Sequence, residues 1–467
     1  MEEDAILFAS LAPLEADTLR DPDRWFTERK LLARWALKNG RFADAYTLSA
    51  FSGLEKGADF AEAEFMAGWI ALRFLRDPER AKAHFTFLGT GVNSPISLSR
   101  GEYWLGRAWA AGGDPERASY HYRVAAEYPY AYYGQLALHE LGSSAPKAQF
   151  PDPLQADEMA LEVFNARPMV HAMHILSELG EDRHFDRFAR ALDDQLESPG
   201  EVVAYDRLVQ SERKPYLAVR ASKVARNKGA DVPSVVYPLY PVPDQAKGFV
   251  EEALILGLSR QESEFNPRAF SRAKARGLMQ LLASTAKITA RKEGFPYSTP
   301  RLMDDPAYNL VLGAAHLSHL LERFDGSYIM VLAAYNAGPH RVDGWIKTYG
   351  DPRDKEVDPI DWVELIPFSE TRNYVMRVLE NTQVYRSRLS GVPLGEGLAA
   401  DIARGTDDGF AKGQFPPAPA LWQVSLTTPS VAPSAQPHEF LPLAVTKYPE
   451  LKLNILPEEM AAPQNAE

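Results

Sequence analysis

Cysteine is absent from the 467 residues of this chain. Without it the protein has no disulfide, no thiol nucleophile and no thiolate ligand for a metal ion. Long apolar runs are missing too, since no stretch approaches the 18 or more consecutive apolar residues that a membrane-spanning helix requires. The sequence therefore excludes thiol chemistry and predicts no membrane span.

An excess of positive charge is also lacking, because the net charge is −12. Nucleic-acid binding depends on Lys and Arg that neutralise phosphates, so we expect no nucleic-acid partner. The opening MEEDAILFASLAPLEAD carries acids where a secretory signal would carry Lys or Arg. Two interpretations stay open: a cytoplasmic protein, or a mature or truncated form whose targeting segment lies outside this sequence.

What is present is an internal repeat in the N-terminal third. The pentapeptide Asp-Pro-Glu-Arg-Ala begins at Asp77 and again at Asp114, 37 residues later, and a related unit places Ala45 36 residues before Ala81. Repeated helix-turn-helix units of this length are typical of an α-solenoid. Because the period exceeds the 34 residues of a tetratricopeptide repeat, we predict a TPR-like helical superhelix over residues 1–149.

Three further regions follow the superhelix. Residues 150–243 have helical patterns and end in an extended segment in which Pro238, Pro241 and Pro243 exclude a helix interior, so we predict a helical linker region. Residues 244–392 have dense helical patterns and form a separate predicted domain. Residues 393–467 are rich in Pro, Ala and Ser and are expected to be disordered.

The predicted fold class is all-α throughout. Hydrophobic periodicity in residues 244–392 predicts a series of helices and no strands. These helices cover residues 247–262, 284–293, 308–324, 327–336, 339–348 and 369–390.

One carboxylate in this region has unusual surroundings. Val250, Leu254 and Leu258 recur at helical spacing up to Glu262, and residues 266–267, Asn-Pro, are expected to stop the helix. The negative end of the helix and its apolar body disfavour ionisation, which would raise the pKa of Glu262 toward that of a general acid. The alternative is an ordinary solvated surface glutamate.

Four short segments decide between these alternatives by their order. They are Glu262-Ser263, Gly277-Leu-Met-Gln280, Ala334-Tyr-Asn-Ala-Gly338 and the segment 366–375, IPFSETRNYV. Together they resemble the catalytic domain of the soluble lytic transglycosylases, which has a goose-type-lysozyme-like α-helical fold and cleaves the glycan strands of peptidoglycan. The resemblance covers about 150 residues, and the N-terminal helices resemble the family's superhelical region less specifically.

The resemblance implies a role for six residues. Glu262 matches the family's single catalytic acid/base, and five further positions match residues that line the cleft or contact substrate: Ser271, Met279, Gln280, Tyr335 and Glu370. Packing or turn formation is the alternative for each of these five. We find one convincing carboxylate, because Glu264 is expected to point away from Glu262 and Glu370 lies on a separate helix.

On the family mechanism, the bond cleaved is the β-1,4 bond between N-acetylmuramic acid and N-acetylglucosamine, and a 1,6-anhydromuramoyl product forms. A muramidase on the same fold is one alternative, and a TPR-like interaction protein that only binds glycan or organises a cell-wall complex is another. The expected partners are peptidoglycan glycan strands, with the superhelix as a surface for cell-wall proteins. This substrate would place the protein in the periplasm.

One position departs from the family pattern. Lys274 stands where the family usually has a glycine, and such a glycine can mark a backbone turn with positive φ. No cofactor is expected, and no metal site either. His316 and His319 share a helix face, but no third ligand accompanies them.

Overall fold

The computed structural model describes residues 9, 21–50, 52–156, 158–226 and 228–405. Every regular element among them is a helix, and the predicted all-α class is confirmed. Within this part of the chain no helix is both long enough and apolar enough to cross a membrane. The described residues divide into two compact units, residues 21–125 and residues 126–405.

The first unit is a series of helices joined by short turns. Consecutive helices from α1 to α5 pack against each other, as expected for a solenoid. Their bounds are α1 Pro22–Lys38, α2 Phe42–Ala50, α3 Gly57–Arg73, α4 Pro78–Thr90, α5 Pro95–Ala111 and α6 Pro115–Ala126.

The repeated pentapeptide starts equivalent helices. Asp77 accepts a hydrogen bond from the backbone N–H of Arg80 at 2.9 Å, and Asp114 accepts one from Arg117 at 3.0 Å. A proline follows each aspartate at the first helical position, where its missing N–H costs nothing. The sequence repeat therefore corresponds to a repeated helix start.

The repeat also positions close helix contacts. A Cβ on Gly68 would lie 2.6 Å from the Phe85 ring, and a Cβ on Gly106 would lie 2.6 Å from the Tyr122 ring. Each glycine thus lets an aromatic ring of the following helix approach the backbone. This recurring small-against-aromatic contact confirms the predicted superhelical repeat.

The second unit contains all the remaining helices. Those before residue 244 are α7 Tyr132–Leu141, α8 Glu158–Asn165, α9 Pro168–Glu178, α10 Asp182–Asp193, α11 Pro199–Ser211, α12 Pro215–Arg226 and α13 Pro233–Val236. Those after it are α14 Asp244–Lys247, α15 Glu252–Ser263, α16 Ala283–Lys292, α17 Arg301–Asp304, α18 Pro306–Arg323, α19 Tyr328–Ala337, α20 Pro339–Tyr349, α21 Pro359–Leu365, α22 Ser369–Ser390 and α23 Leu398–Ile402.

The proline-rich segment before residue 244 packs tightly against its neighbours. Tyr237 is buried, with the Arg260 guanidinium 4.1 Å from its ring centre, and the Tyr385 hydroxyl donates to the carbonyl of Pro238 at 3.1 Å. The sequence predicted an extended linker with a domain boundary at residue 243. These aromatic and cationic contacts join the two sides of the proline segment, and both sides lie in the second compact unit. The domain boundary at residue 243 stays a prediction.

Helices α15 and α22 form the centre of the C-terminal region. A Cβ on Gly257 would lie 2.8 Å from Oγ1 and 2.9 Å from the backbone nitrogen of Thr382, so the two helices touch at the backbone. Arg260 also donates to Asn381 Oδ1 at 3.0 Å. Helix α15 begins five residues later than predicted and ends at Ser263, because Glu264 adopts a left-handed conformation with φ 52°.

The start of the predicted disordered tail is folded. Leu394, Leu398 and Ile402 are buried, and the Asp401 carboxylate pairs with Arg386 at 2.6 Å. Disorder was expected from residue 393 because the segment is rich in small and polar residues, but apolar residues four positions apart supply a packing face. Residues 406–467 of the predicted tail lie outside the described residues.

Candidate active site

Glu262 occupies the last turn of α15, as the sequence predicted. The residue is partly exposed, and Tyr335 and Tyr374 lie near its carboxyl group. Burial raises the pKa of Glu262 to about 7, against a usual value of 4.5. A large fraction of the carboxyl group is therefore protonated near neutral pH, as a general acid requires.

Two neighbours adjust this acidity in opposite directions. The Tyr374 hydroxyl donates a hydrogen bond to Glu262 Oε1 at 2.7 Å, which favours the ionised carboxylate and lowers its pKa. The negative charge of Glu370 raises that pKa. Burial outweighs both neighbours, since it is the largest cause of the shift.

The tyrosines around Glu262 are held neutral. Burial, together with the nearby Glu262 charge, raises the pKa of Tyr335 and of Tyr374 well above the usual 10. Both hydroxyls therefore stay protonated and act as hydrogen-bond donors. Tyr335 donates to the backbone carbonyl of Met279 at 2.8 Å, so its hydroxyl is bonded to the segment that contains the Gly-Leu-Met-Gln motif.

The end of α15 is bonded to the same segment. The Ser263 hydroxyl donates to the carbonyl of Leu278 at 2.7 Å and also contacts the carbonyl of Ser259. Glu262 and the Gly-Leu-Met-Gln motif, 15 residues further on in the chain, are therefore brought together. The sequence placed these motifs in one site through the resemblance, and the structure brings them side by side.

The Asn309 side chain of α18 is hydrogen-bonded to the backbone of the Gly-Leu-Met-Gln motif. This buried side chain accepts from the backbone N–H of Met279 at 2.8 Å and donates at 2.9 Å to the carbonyls of Arg276 and Leu302. A Cβ on Gly277 would lie 2.3 Å from Asn309 Nδ2, and Gly277 has φ 76°. A glycine at residue 277 is therefore required both by conformation and by space.

The Met279 side chain is buried and packs against α18. Its side chain is 0% exposed and packs on α18, where a Cβ on Gly313 would lie 2.2 Å from its sulfur atom. Met279 therefore supports the backbone to which Tyr335 is bonded. A direct contact of its side chain with substrate stays a prediction.

Ser271 and Gln280 both shape the loop between α15 and α16. Ser271 Oγ accepts from the backbone N–H of Ala275 at 3.1 Å, and Gln280 Nε2 donates to the carbonyls of Ala269 and Gly277. Both side chains remain partly exposed, so these bonds leave each of them a surface toward solvent. Their role in substrate binding stays a prediction.

Lys274 lies in this loop with φ 65°. The backbone turn with positive φ that the family's glycine implied is therefore present, and here a lysine adopts it. The side chain is exposed. Most L-residues are strained in this conformation, so the departure from the family pattern carries a conformational cost.

Glu370 lies in the first turn of α22 and is exposed. Next to it, the Thr371 hydroxyl donates to Asn336 Oδ1 at 2.6 Å, which ties the start of α22 to the Ala-Tyr-Asn-Ala-Gly motif at the end of α19. The fourth motif thus joins the other three. Because Glu370 influences the pKa of Glu262, the structure places its charge near that carboxyl group.

Sequence reasoning missed two residues of the site. Tyr374, the hydrogen-bond donor to Glu262, lies within the segment 366–375 that carried the resemblance, but its role depends on a contact 112 residues apart in sequence. Asn309 had only a weak signal, a lone amide within the apolar run of α18. Both roles are set by tertiary contacts.

The two histidines of α18 do not form a metal site with other residues. His316 packs on the Tyr335 ring at 5.3 Å, and burial lowers its pKa to about 4. His319 contacts Glu293 Oε1 at 2.6 Å. Across the described residues no group of three or more His, Asp or Glu side chains is arranged to hold a metal ion.

This arrangement matches a known family of domains. Residues 243–357 match the family model of the transglycosylase SLT domain, and residues 365–394 match that of the soluble lytic transglycosylase helical domain. Residues 243–357 are therefore similar to a transglycosylase SLT domain, and this region is called the SLT domain. All four motifs and the Glu262 carboxyl group lie in the region covered by these matches or directly between them.

One curated relative matches less than a third of this chain. The soluble lytic murein transglycosylase of Escherichia coli is 37% identical over 145 residues, which is 31% of this chain and 22% of the relative. The match therefore spans about a fifth of that protein's length.

Solved structures extend the likeness over most of the chain. An inactive Glu-to-Gln mutant of the lytic transglycosylase Slt from Pseudomonas aeruginosa is 26% identical with a TM-score of 0.65, covering 80% of this chain and 62% of that one. The 70 kDa soluble lytic transglycosylase of Escherichia coli is 21% identical with a TM-score of 0.56, covering 87% and 68%. This second likeness supports the superhelical fold alone.

Proposed function

We propose that this protein is a peptidoglycan lytic transglycosylase that cleaves the β-1,4 bond between N-acetylmuramic acid and N-acetylglucosamine. The observation that carries the proposal is Glu262, a carboxyl group at a helix end whose pKa is raised to about 7 by burial. It lies in an SLT domain among the four motifs that characterise the resemblance. A group of this acidity can give up a proton and take one back near neutral pH.

One carboxylate is enough for this reaction. A glycosidase that uses water or a covalent intermediate needs a second carboxylate, about 5 Å away for retention or about 6.5–9.5 Å for inversion. Glu264 is engaged by Lys223 in an ion pair. Glu370 is exposed and raises the pKa of Glu262, which suits a residue that keeps the acid protonated and contacts substrate.

In the first step Glu262 acts as the acid. The carbonyl oxygen of the N-acetyl group of the muramic acid bonds to C1 while the bond from C1 to the leaving oxygen breaks. The proton of Glu262 passes to that oxygen, so the leaving sugar departs with a neutral hydroxyl group. Glu262 is left as a carboxylate, and the hydrogen bond from Tyr374 stabilises this charge.

In the second step Glu262 acts as the base. It takes the proton from the C6 hydroxyl of the same muramic acid, whose oxygen attacks C1. The bond from C1 to the N-acetyl oxygen breaks as the 1,6-anhydro ring closes, and the N-acetyl group is restored. Glu262 is protonated again, and no water is consumed. An attacking group held within the same sugar gains from proximity in a way that a free water does not.

The remaining predicted residues fit supporting roles. Ser271, Gln280 and Glu370 present partly or fully exposed side chains and are proposed to contact the glycan strand. Tyr335 and Met279 are proposed to maintain the floor of the cleft, because the tyrosine hydroxyl bonds to the backbone of the methionine.

The relatives support the substrate and the type of catalytic residue. The Escherichia coli relative is named for its action on murein, and the Pseudomonas aeruginosa enzyme was inactivated by a single Glu-to-Gln substitution. On this substrate the protein would act in the periplasm, with the superhelix available to hold glycan or cell-wall proteins.

Digestion of purified peptidoglycan tests the reaction. We expect fragments that end in 1,6-anhydromuramic acid, whose summed mass equals that of the uncut strand. Hydrolysis would instead add the mass of one water at each cut. Reducing ends would show a muramidase, and intact glycan that binds the protein would show a scaffold.

Glu262→Gln tests the assigned residue. The amide cannot give up a proton as the acid does, so we expect cleavage to fall by about 10²–10⁴-fold while the fold is kept. Glu264→Gln is the matched control, since it makes the same change two residues away on a side chain paired with Lys223. Equal losses in both variants would contradict the assignment of Glu262.

A further inference from the structure

The segment that follows the Glu262 helix has an unusual charge. Residues 265–292 contain seven Lys and Arg residues and no acid, in a chain whose net charge is −12. Four of these cations lie in the loop between α15 and α16: Arg268, Arg272, Lys274 and Arg276. A positive loop therefore borders the candidate active site of an acidic protein.

The tip of this loop is a turn of defined geometry. The backbone N–H of Ser271 donates to the carbonyl of Ala275 at 3.1 Å, and that of Lys274 donates to the carbonyl of Ser271 at 2.9 Å. The Ser271 hydroxyl accepts from Ala275 N–H and closes the turn. Arg272 and Lys274 are thus carried on an ordered backbone.

Of the four cations, two interact with neighbouring groups. The Arg276 guanidinium lies 5.1 Å from the centre of the Phe270 ring and donates to the carbonyl of Lys274 at 2.7 Å. The pKa of Asp182 on α10 is lowered chiefly by the hydrogen bond and the charge of Lys214, and the charge of Arg268 contributes to the lowering. The Arg276 contacts hold the loop, and the cations at its tip are exposed.

The other two cations point to a ligand. Arg272 and Lys274 are exposed, and neither has an ion-pair partner among the described residues. Lys274 moreover has φ 65°, a conformation in which glycine would be less strained. The backbone conformation therefore favours glycine over lysine at residue 274. An interaction of the Lys274 side chain with a ligand would account for the lysine.

The loop is bonded to the site at both ends. At its start the backbone N–H of Asn266 donates to the carbonyl of Ser263, next to Glu262, at 2.9 Å. At its far end the Ser263 hydroxyl donates to the carbonyl of Leu278. The loop that carries the turn at residues 271–274 is therefore anchored at both ends beside Glu262.

We propose that Arg272 and Lys274 bind carboxylate groups of the glycan strand and so set a preference for anionic strands. This inference rests on the proposed function. Carboxylates are carried by the stem peptides, and by the lactyl groups of strands that have lost their peptides. Exposed Lys and Arg pair with either group through charge-assisted hydrogen bonds.

Binding of soluble labelled strands to the full chain tests this proposal. Glu262→Gln is used as the background, so that no strand is consumed, and it is compared with the same protein carrying Arg272→Gln and Lys274→Gln. We expect the Kd for carboxylate-bearing strands to rise by about 5- to 10-fold, as for the loss of two exposed pairs. For strands whose carboxyl groups have been converted to amides we expect less than a twofold difference. Peptide-bearing and peptide-free strands measured separately identify which carboxylate is bound.

A matched control separates local contact from general charge. Lys287→Gln with Arg291→Gln removes two exposed cations from α16, in the same acid-free segment, and should change the Kd by less than twofold. An equal loss in this control, an equal loss with amidated strands, or no loss at the loop would each overturn the proposal. Cleavage by the wild type is measured separately, so that a protein which binds but does not cleave refutes the proposed activity and leaves carboxylate recognition standing.

Discussion

At the scale of single residues, the chemistry depends on where Glu262 is buried. With a pKa of about 7, a large fraction of Glu262 is protonated near neutral pH, and the carboxylate can take a proton back in the second step. The neighbouring tyrosines stay neutral and donate hydrogen bonds, so the site can change charge at one group alone. Removal of a single donor should therefore be visible in the pH dependence of cleavage.

The prediction concerns Tyr374→Phe. In the wild type, kcat/KM should fall as pH rises through about 7, because Glu262 loses its proton there. Loss of the Tyr374 hydrogen bond removes a group that lowers this pKa, so the alkaline limb should move to higher pH while kcat decreases. A pH series of kcat/KM measures the shift, and a variant with reduced activity but an unmoved limb would mean that Tyr374 only packs.

Lys274→Gly is the second prediction at this scale. Glycine adopts φ 65° without strain, so we expect the free energy of unfolding to rise by about 0.5–1 kcal/mol. Ala273→Gly in the same turn is the control, because Ala273 has no positive φ and its replacement should lower stability. Urea unfolding of both variants provides the comparison, and a loss of stability in Lys274→Gly would refute the assignment of strain.

At the scale of helices, the site depends on the close approach of α15 and α22. Glu262 lies on one of these helices and its donor Tyr374 on the other, so their spacing sets the 2.7 Å hydrogen bond. Gly257 allows the backbones to touch, and Arg260 bonds across the contact to Asn381. The contact between α15 and α22 therefore helps to position the Glu262 carboxyl group.

Gly257→Ala should disturb this contact. The added methyl group would lie within 3 Å of Thr382, including its backbone, so we expect a loss of about 1–3 kcal/mol in the free energy of unfolding and weaker cleavage. Gly344→Ala in α20 is the matched control. Nothing lies within 4 Å of a Cβ at residue 344, and alanine favours a helix by up to about 1 kcal/mol. Denaturant unfolding of the pair measures the difference, and equal effects would contradict the role of Gly257.

At the scale of the whole molecule, the SLT domain is built into a larger unit. The backbone N–H of Tyr132 at the start of α7 donates to Glu380 of α22 at 2.7 Å, and the Tyr133 hydroxyl bonds to Glu364 of α21. Leu394 also donates to the carbonyl of Ala148 at 2.7 Å. Residues more than 230 positions apart thus satisfy each other's buried polar groups.

Truncation tests this dependence. A fragment of residues 126–405 should fold with a cooperative transition, whereas residues 243–405 should lose at least about 3 kcal/mol of unfolding free energy, because Glu380 and Glu364 lose buried partners. Chemical denaturation of both fragments gives the comparison. Equal stability would mean that the SLT domain is independent of the helices before it.

Local patterns in the sequence determined much of this protein. The helical periodicity, the repeat with Asp77 and Asp114 as helix caps, and the position of Glu262 at a helix end all depend on residues within a few turns of each other. The resemblance, carried by four short motifs, was enough to group them into one site. The departure at Lys274 also drew attention to a backbone turn, and the structure gives this residue φ 65°.

Only the tertiary structure decided how acidic Glu262 is and what holds it. The pKa depends on burial and on Tyr374, 112 residues away, and the loop depends on Asn309 of α18. The compact units divide at residue 125 and residues 393–405 are folded, because contacts distant in sequence join α7, the proline segment and α22. Such contacts leave no periodic signal in the sequence, because each joins two residues that are distant in the chain and close only in the folded structure.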